Sequence, residues 1–167
     1  MKEMEQKILE EGKVLPGGIL KVGSFLNQQI DVPFLGRMAK EIARLYEGQG
    51  VNKVLTIESS GIAIAAAVAL EMDVPMLFAK KHKSSNVDGA VTKDDRVLLV
   101  DDFLANGKAL IGLTDLVRQA GATTVGAAIA IEKGFQGGGD ALRAQGVRVE
   151  SLAIVESMTD DSITFRN

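Results

Sequence analysis

The chain has no cysteine, which excludes disulfides and thiolate metal sites and fits a reducing compartment. Its single histidine, His82, is too little imidazole for a histidine-rich zinc centre or a Ser-His-Asp relay. Charge of one sign is in short supply as well. A net charge of -3 and a pI near 5.3 exclude a general binder of nucleic acid or of acidic membranes. Long hydrophobic runs are missing. The longest weakly polar stretch, Gly61 to Leu70, is too short to span a bilayer. The first residues, Met1 to Lys7, are charged and lack the apolar centre of a secretory signal, so a cytoplasmic location is expected. Two phosphate-binding signatures are also lacking. Gly137-Gly138-Gly139 is not followed by Gly-Lys-Ser/Thr, and no Gly-x-Gly-x-x-Gly follows the first strand of the α/β pattern. A P-loop nucleotidase and a dinucleotide oxidoreductase therefore drop out, and the glycine triplet reads as a flexible turn.

What is present is the composition of one ordinary globular domain. The 167 residues, 46% of them apolar, are enough for a sizeable core, and no repeat or linker divides them. Lys2 to Glu11 reads as a helix stopped by Gly12. Residues 13–31 show no clean period and read as a strand-and-loop lid over the domain. Asp31-Val32-Pro33 opens a helix whose apolar stripe is Phe34, Leu35, Met38, Ile42 and Leu45. Strands are expected at Val54–Ile57, Val74–Ala79, Arg96–Val100, Thr124–Ile131 and Val147–Val155, with an edge strand at Ile163–Phe165. Helices are expected at Ile62–Leu70, Lys108–Gln119 and Asp140–Gln145. This alternation predicts an α/β fold: a mostly parallel twisted sheet flanked by helices, in one domain over 1–167. Such sheets bind ligands beyond the carboxyl ends of their strands.

Four segments fall at those ends. Val97–Val100 runs into Asp101-Asp102, and a loop of small residues, Ala105-Asn106-Gly107, then opens a helix at Lys108-Ala109. Two anionic acceptors thus stand beside the N–H donors of a helix start, a setting suited to a sugar that carries a phosphate. The bland alternative is a buried strand whose terminal Asp caps the next helix. Glu58-Ser59-Ser60-Gly61 likewise joins a strand to a helix, and its hydroxyls and N–H groups can grip an anion or merely cap the helix. The basic run Lys80-Lys81-His82-Lys83 follows a third strand; as a solvated charge run it would mean little, but beside two anion-suited loops it points to a polyphosphate. Glu132-Lys133-Gly134-Phe135 ends a fourth strand. A flat heterocycle can lie against Phe135 while Lys133 holds a carbonyl oxygen.

With these residues assembled, the chain resembles the type I phosphoribosyltransferases, and within them the members of bacterial purine salvage that use xanthine. The likeness rests on five blocks in the family's order: Leu20 to Asn27, Thr56 to Ala63, Phe78 to Ser84, Val100 to Gly107 and Ile131 to Phe135. It implies transfer of phosphoribose from 5-phosphoribosyl-1-pyrophosphate (PRPP) to N9 of xanthine, giving XMP and pyrophosphate. It further implies that Ala105, Asn106, Gly107, Lys108 and Ala109 cradle the 5'-phosphate, that Asp101 and Asp102 hold the ribose hydroxyls, and that Glu58, Ser59, Ser60 and Gly61 meet the pyrophosphate, with Lys81 and Lys83 as further PRPP contacts. Leu20 and Asn27 in the lid, Lys133 and Phe135 would contact xanthine. Mg²⁺ would arrive with PRPP rather than in a site of the chain's own, and a homodimer is expected. The chain departs from the family between Lys83 and Arg96, where Ser84 to Asp95 replace a much longer flexible hairpin. Loss of that lid would weaken closure and turnover while sparing the phosphate site. A regulatory PRPP sensor without catalysis, or a transferase for another purine, are the rival readings.

Overall fold

The structure is a computed structural model and describes residues 1–80, 87 and 89–167. A helix, α1 (Lys2–Glu11), leads into a short antiparallel hairpin of β1 (Lys13–Leu15) and β2 (Ile19–Lys21), followed by a π-helical turn at Gly23–Asn27. Then come α2 (Val32–Leu45), β3 (Lys53–Ile57), α3 (Ile62–Met72), β4 (Met76–Ala79), β5 (Arg96–Leu104), α4 (Lys108–Gln119) and β6 (Thr123–Lys133). A single 3₁₀ turn at Gly134–Gln136 precedes α5 (Gly138–Ala144), β7 (Val149–Thr159) and β8 (Ser162–Phe165). The strands form one sheet in the order β4-β3-β5-β6-β7-β8. Within this six-stranded sheet every pairing is parallel except that of β7 with β8. The mostly parallel, helix-flanked sheet expected from the sequence is what the chain builds.

Side-chain alternation divides the core into two layers. On β5, Leu98 and Val100 face one side and pack with α1, α2 and α3 through Ile8, Met38, Ile42 and Ile64. Val97 and Leu99 face the other side, against Leu110, Leu113 and Val117 of α4 and Leu142 of α5. This period of two explains why β5 reads as a continuous apolar run: a strand covered on both faces has no polar side. The start of α2 is set as its sequence suggests. Asp31 Oδ1 accepts from the Phe34 N–H at 3.0 Å, and Pro33 occupies the first turn. Lys7 bridges Asp31 and Glu11, pinning α1 to the entry of α2.

Three local expectations are corrected. Strand β5 does not end at Val100; it continues to Leu104 because Asp101, Phe103 and Leu104 pair in register with Ile129, Ile131 and Glu132 of β6. The acidic pair therefore lies inside a strand, where the Asp102 N–H donates to Asp101 Oδ1 at 2.9 Å and the Phe103 N–H to Asp102 Oδ1 at 3.0 Å. The lid contains a π-helical turn in which Gln29 N–H donates to Gly23 and Asp31 N–H to Phe25. That wide turn buries Phe25 and Leu26 side by side, which is why neither a helical nor a strand period fits it. Finally, the glycine triplet is no flexible turn. Gly138 and Gly139 are buried in the first turn of α5, where a Cβ would stand 2.3 Å from the Ala105 carbonyl oxygen and 1.9 Å from Glu132 Oε1. Glycine is there because two neighbours occupy the space a side chain would need.

Candidate active site

The carboxyl ends of β3, β5 and β6 bring the predicted segments together. From the end of β3 the loop 58–61 turns back over β5, and Ser60 Oγ donates to Asp102 Oδ2 at 2.6 Å. Gly61 closes the loop against Asp101: a Cβ there would lie 2.6 Å from Asp101 Oδ1 and 3.0 Å from Thr56 Oγ1, so only glycine fits. The two carboxylates are each only 6% exposed. Asp102 Oδ1 also accepts from the Phe103 N–H at 3.0 Å, so this carboxylate is oriented from two sides. Glu58 and Ser60 are exposed at the rim above it.

Beyond β5 the chain turns sharply into α4. Gly107 adopts φ +84°, a left-handed conformation that favours glycine, and Asn106 Oδ1 accepts from the Lys108 N–H at 3.0 Å. Together with Asp101 and Phe103, residues 104–110 line a cavity of about 170 Å³ at the start of the helix. The helix dipole and the N–H groups of its first turn make this concavity favourable for an anion. The wall is braced from behind by α5, where Gly138 N–H donates to the Ala105 carbonyl at 3.1 Å. Lys108 also borders a second hollow of about 270 Å³ with Lys80, Ile57 and Ala79, which places two ammonium groups on this rim.

The end of β6 carries the third component. Lys133 Nζ donates to the Gly18 carbonyl of the lid at 3.1 Å and lies 5.6 Å from the centre of the Phe103 ring. Burial without a neighbouring carboxylate pushes the Lys133 ammonium below its ordinary pKa. Phe135 is 42% exposed, and its ring edge approaches within 3.6 Å of where Gly18 would carry a Cβ. An ammonium, an accessible aromatic face and the Gly18 backbone thus gather where β6 meets the lid. Leu20 is placed differently from the expectation: its side chain is buried, with Cδ1 3.3 Å from where a Cβ of Gly12 would stand. It is committed to packing within the lid, leaving its backbone as the part able to meet a ligand. Asn27 is exposed at the end of the π-helical turn. Lys81, His82 and Lys83 lie outside the described residues.

Two features went unread in the sequence. Glu132, fully buried, receives a fork of hydrogen bonds from Arg143 at 2.8 and 2.7 Å and a third from Ser151 Oγ at 2.5 Å. This network locks α5 onto β6 and β7 directly behind Lys133 and the cradle. An acidic residue at an inward position of an apolar strand was the available signal, but its partner lies on another element. The other feature is Thr56, fully buried under Gly61 with no hydrogen-bond partner for its hydroxyl among the described residues.

Among the described residues no three acidic or imidazole side chains converge on one point. The donors near the site are hard carboxylate oxygens of Glu58, Asp101 and Asp102, which suit a magnesium ion that takes most of its ligands from a phosphorylated substrate and water. No helix among the described residues is long and apolar enough to cross a membrane.

A family model of the phosphoribosyl transferase domain matches residues 23–140, spanning the lid turn, the loop 58–61, β5 and the cradle. The chain belongs to the phosphoribosyltransferase family. A xanthine phosphoribosyltransferase of Bifidobacterium longum is 50% identical over 193 aligned positions that take in 100% of both chains. One from Heliobacterium modesticaldum is 49% identical over 187 positions, covering 99% of this chain and 100% of the relative. The longer alignment holds all 167 residues of this chain, so 193 less 167, or 26, of its positions face no residue here. Solved phosphoribosyltransferases share the fold at low identity. The adenine phosphoribosyltransferase of Giardia lamblia complexed with 9-deazaadenine superposes with a TM-score of 0.76 at 20% identity, covering 93% of this chain and 98% of that one. The adenine phosphoribosyltransferase of Thermoanaerobacter pseudethanolicus gives 0.75 at 20% identity, over 90% of this chain and 98% of that one.

Proposed function

We propose that this phosphoribosyltransferase transfers 5-phosphoribose from PRPP to N9 of xanthine, forming XMP and pyrophosphate. The observation that carries the reading is the Ser60–Asp102 hydrogen bond, which draws an anion-suited loop onto an acidic strand beside a helix-capped cavity. Full-length relatives of xanthine specificity support the choice of base.

The residues divide the work as follows. The 5'-phosphate sits in the cradle of Ala105, Asn106, Gly107, Lys108 and Ala109. Asp101 and Asp102 accept from the ribose hydroxyls. The leaving pyrophosphate faces Glu58, Ser59, Ser60 and Gly61, with Lys81 and Lys83 supplying positive charge. Lys133 meets a xanthine oxygen, Phe135 covers the ring, and Leu20 and Asn27 close from the lid. As the bond from C1' to pyrophosphate breaks and the bond to N9 forms, positive charge grows on the sugar ring. Two nearly buried carboxylates held in place beforehand favour that charge without reorganising. A magnesium ion brought by the diphosphate, held near the carboxylates of Glu58, Asp101 and Asp102, would supply neutralisation of the leaving group's charge. Xanthine gives up a ring proton to solvent readily near neutral pH, a cation at its oxygen favours the resulting anion, and N9 attacks C1' through its lone pair. No nucleophilic side chain is needed, in keeping with a sequence that has one histidine and no cysteine.

We place the positions that this chain lacks between Lys83 and Arg96, where the resemblance implies a longer hairpin; a flap shortened there would slow turnover. The working form is a cytoplasmic homodimer. The deciding experiment incubates the protein with PRPP, Mg²⁺ and each of xanthine, guanine, hypoxanthine and adenine, reading nucleotide product by mass spectrometry. XMP as the dominant product supports the proposal. PRPP binding with no nucleotide formed would make the chain a sensor, and preference for another base would reassign its substrate.

A further inference from the structure

Thr56 is the penultimate residue of β3 and shares a face with Val54, the face covered by α3. Its hydroxyl is completely buried and, among the described residues, has no hydrogen-bond partner. Buried hydroxyls without partners are rare in native proteins, because desolvation is then uncompensated. The groups around this one are not apolar. Above it lies Gly61, the junction between the loop 58–61 and α3, and beside it the Asp101 carboxylate: one point, the Cβ position of Gly61, lies within 3.0 Å of both Thr56 Oγ1 and Asp101 Oδ1. Among the described residues Glu58 N–H donates to the Ala79 carbonyl, Ile62 N–H to the Ser59 carbonyl and Ala65 N–H to the Gly61 carbonyl, and Ser60 ties the loop to Asp102 through its side chain. A small shift of this loop, or of the Asp101 carboxylate, offers the hydroxyl a backbone carbonyl, an N–H or a carboxylate oxygen.

We infer that Thr56 is a positioning residue for the loop 58–61, its hydroxyl forming its hydrogen bond only in the arrangement of the loop and Asp101 that holds a diphosphate. The inference rests on the phosphoribosyltransferase reading of this site. In the free protein the orphaned hydroxyl disfavours the resting loop, and occupation of the site restores its bond. Part of the affinity for pyrophosphate and PRPP is thus stored under the loop, in a group that touches no ligand. A merely structural threonine would act in the opposite sense, stabilising the free protein and leaving ligand affinity alone.

Those opposite signs make the test. Thr56→Val keeps the shape and removes the hydroxyl; Thr56→Ser keeps the hydroxyl. Melting temperatures of the free proteins and titration calorimetry with magnesium pyrophosphate and magnesium PRPP are compared with the wild type. The valine variant is expected to melt at or above the wild-type temperature, to bind pyrophosphate roughly five- to tenfold more weakly, the worth of one hydrogen bond, and to show a raised KM for PRPP with kcat less affected. The serine variant should recover most of the affinity. Wild-type affinity in the valine variant overturns the inference while leaving the enzyme intact. So does a lowered melting point of the free valine protein without loss of affinity. A wild-type protein that takes up neither pyrophosphate nor PRPP overturns the reading of the site, and this inference with it.

Discussion

The ammonium of Lys133 donates to the carbonyl oxygen of Gly18, tying the end of β6 to the lid. The contact has two consequences of opposite sign. Burial disfavours the charged ammonium, so its pKa in the folded chain lies below the ordinary 10.5. Between the folded value and 10.5 the unfolded chain binds more protons, so this group makes stability rise with pH there and is a burden at neutral pH. Replacing it with an uncharged side chain of similar length, Lys133→Met, should therefore not lower the melting temperature at pH 7. The same change removes the cation proposed to face a xanthine oxygen, and kcat/KM for xanthine should fall roughly ten- to a hundredfold, far more than for hypoxanthine. Steady-state kinetics on both bases, alongside a thermal melt, checks both. An equal fall for the two bases would take Lys133 out of base selection.

Asp102 is the second test. Its Oδ2 accepts from Ser60 and its Oδ1 from the Phe103 N–H. Asp102→Asn retains one carbonyl oxygen for the backbone bond, and its amide can donate to Ser60 once the hydroxyl turns. The fold should survive with little change in melting temperature. What disappears is the negative charge proposed to stand beside the ribose. KM for PRPP should rise about tenfold or more and kcat should fall as well, since the interaction strengthens as charge grows on the sugar. Unchanged PRPP affinity and rate would remove Asp102 from the site.

Gly138 lies on α5, yet its N–H supports the Ala105 carbonyl, and a Cβ there would stand 2.3 Å from that oxygen. Gly138→Ala must displace the backbone of the cradle. A loss of about 1–3 kcal/mol in stability is expected from the overpacking, together with weaker PRPP binding, although position 138 bears no functional group. Urea denaturation and a PRPP titration measure the two effects. Full affinity in a destabilised variant would show that the cradle does not depend on this brace.

The sequence made the layered α/β arrangement and the ligand-bearing rim legible because both follow from local pattern: apolar strands alternating with amphipathic helices, and Gly, Ser and Asp clustered after the strands. The capped start of α2 at Asp31-Val32-Pro33 was readable for the same reason. Features set by distant partners were hidden. Asp101-Asp102 looked like a strand end because charge usually breaks an apolar strand, yet pairing with β6 carries the strand past it. Gly138-Gly139 looked like a turn because nothing local reveals that Ala105 and Glu132 occupy the space of their missing side chains. The Glu132–Arg143 fork joins a strand to a helix and has no signature at sequence spacing. The burial of the Leu20 side chain inside the lid likewise has no local signature.

Acid sensitivity should have a definable source at the opposite end of the sheet. Asp95 Oδ2 receives Lys53 Nζ at 2.7 Å and the Thr92 N–H at 2.7 Å, while Asn52 reaches its Oδ1 at 3.2 Å. Lys53 also donates to the Ala90 carbonyl. The Lys53 bond first, and the Thr92 N–H second, hold the Asp95 carboxyl below its ordinary 3.8. A depressed carboxylate pKa adds stability that is fully present above the unfolded value and is lost as pH falls through the folded one. Asp95→Asn should thus be less stable than the wild type at pH 7, by about 1–2 kcal/mol for a partly screened, charge-assisted contact. The gap should begin to narrow as pH drops below about 4, the unfolded value, and close only once pH has fallen through the lower value of the folded carboxyl. Urea midpoints measured from pH 7 to pH 3 follow the difference directly. Transferase activity at pH 7 should be unaffected, because this cluster lies at the amino ends of β3 and β5, away from the rim. A difference between the two proteins that stays constant across that pH range would mean that Asp95 acts through its shape and not through its charge.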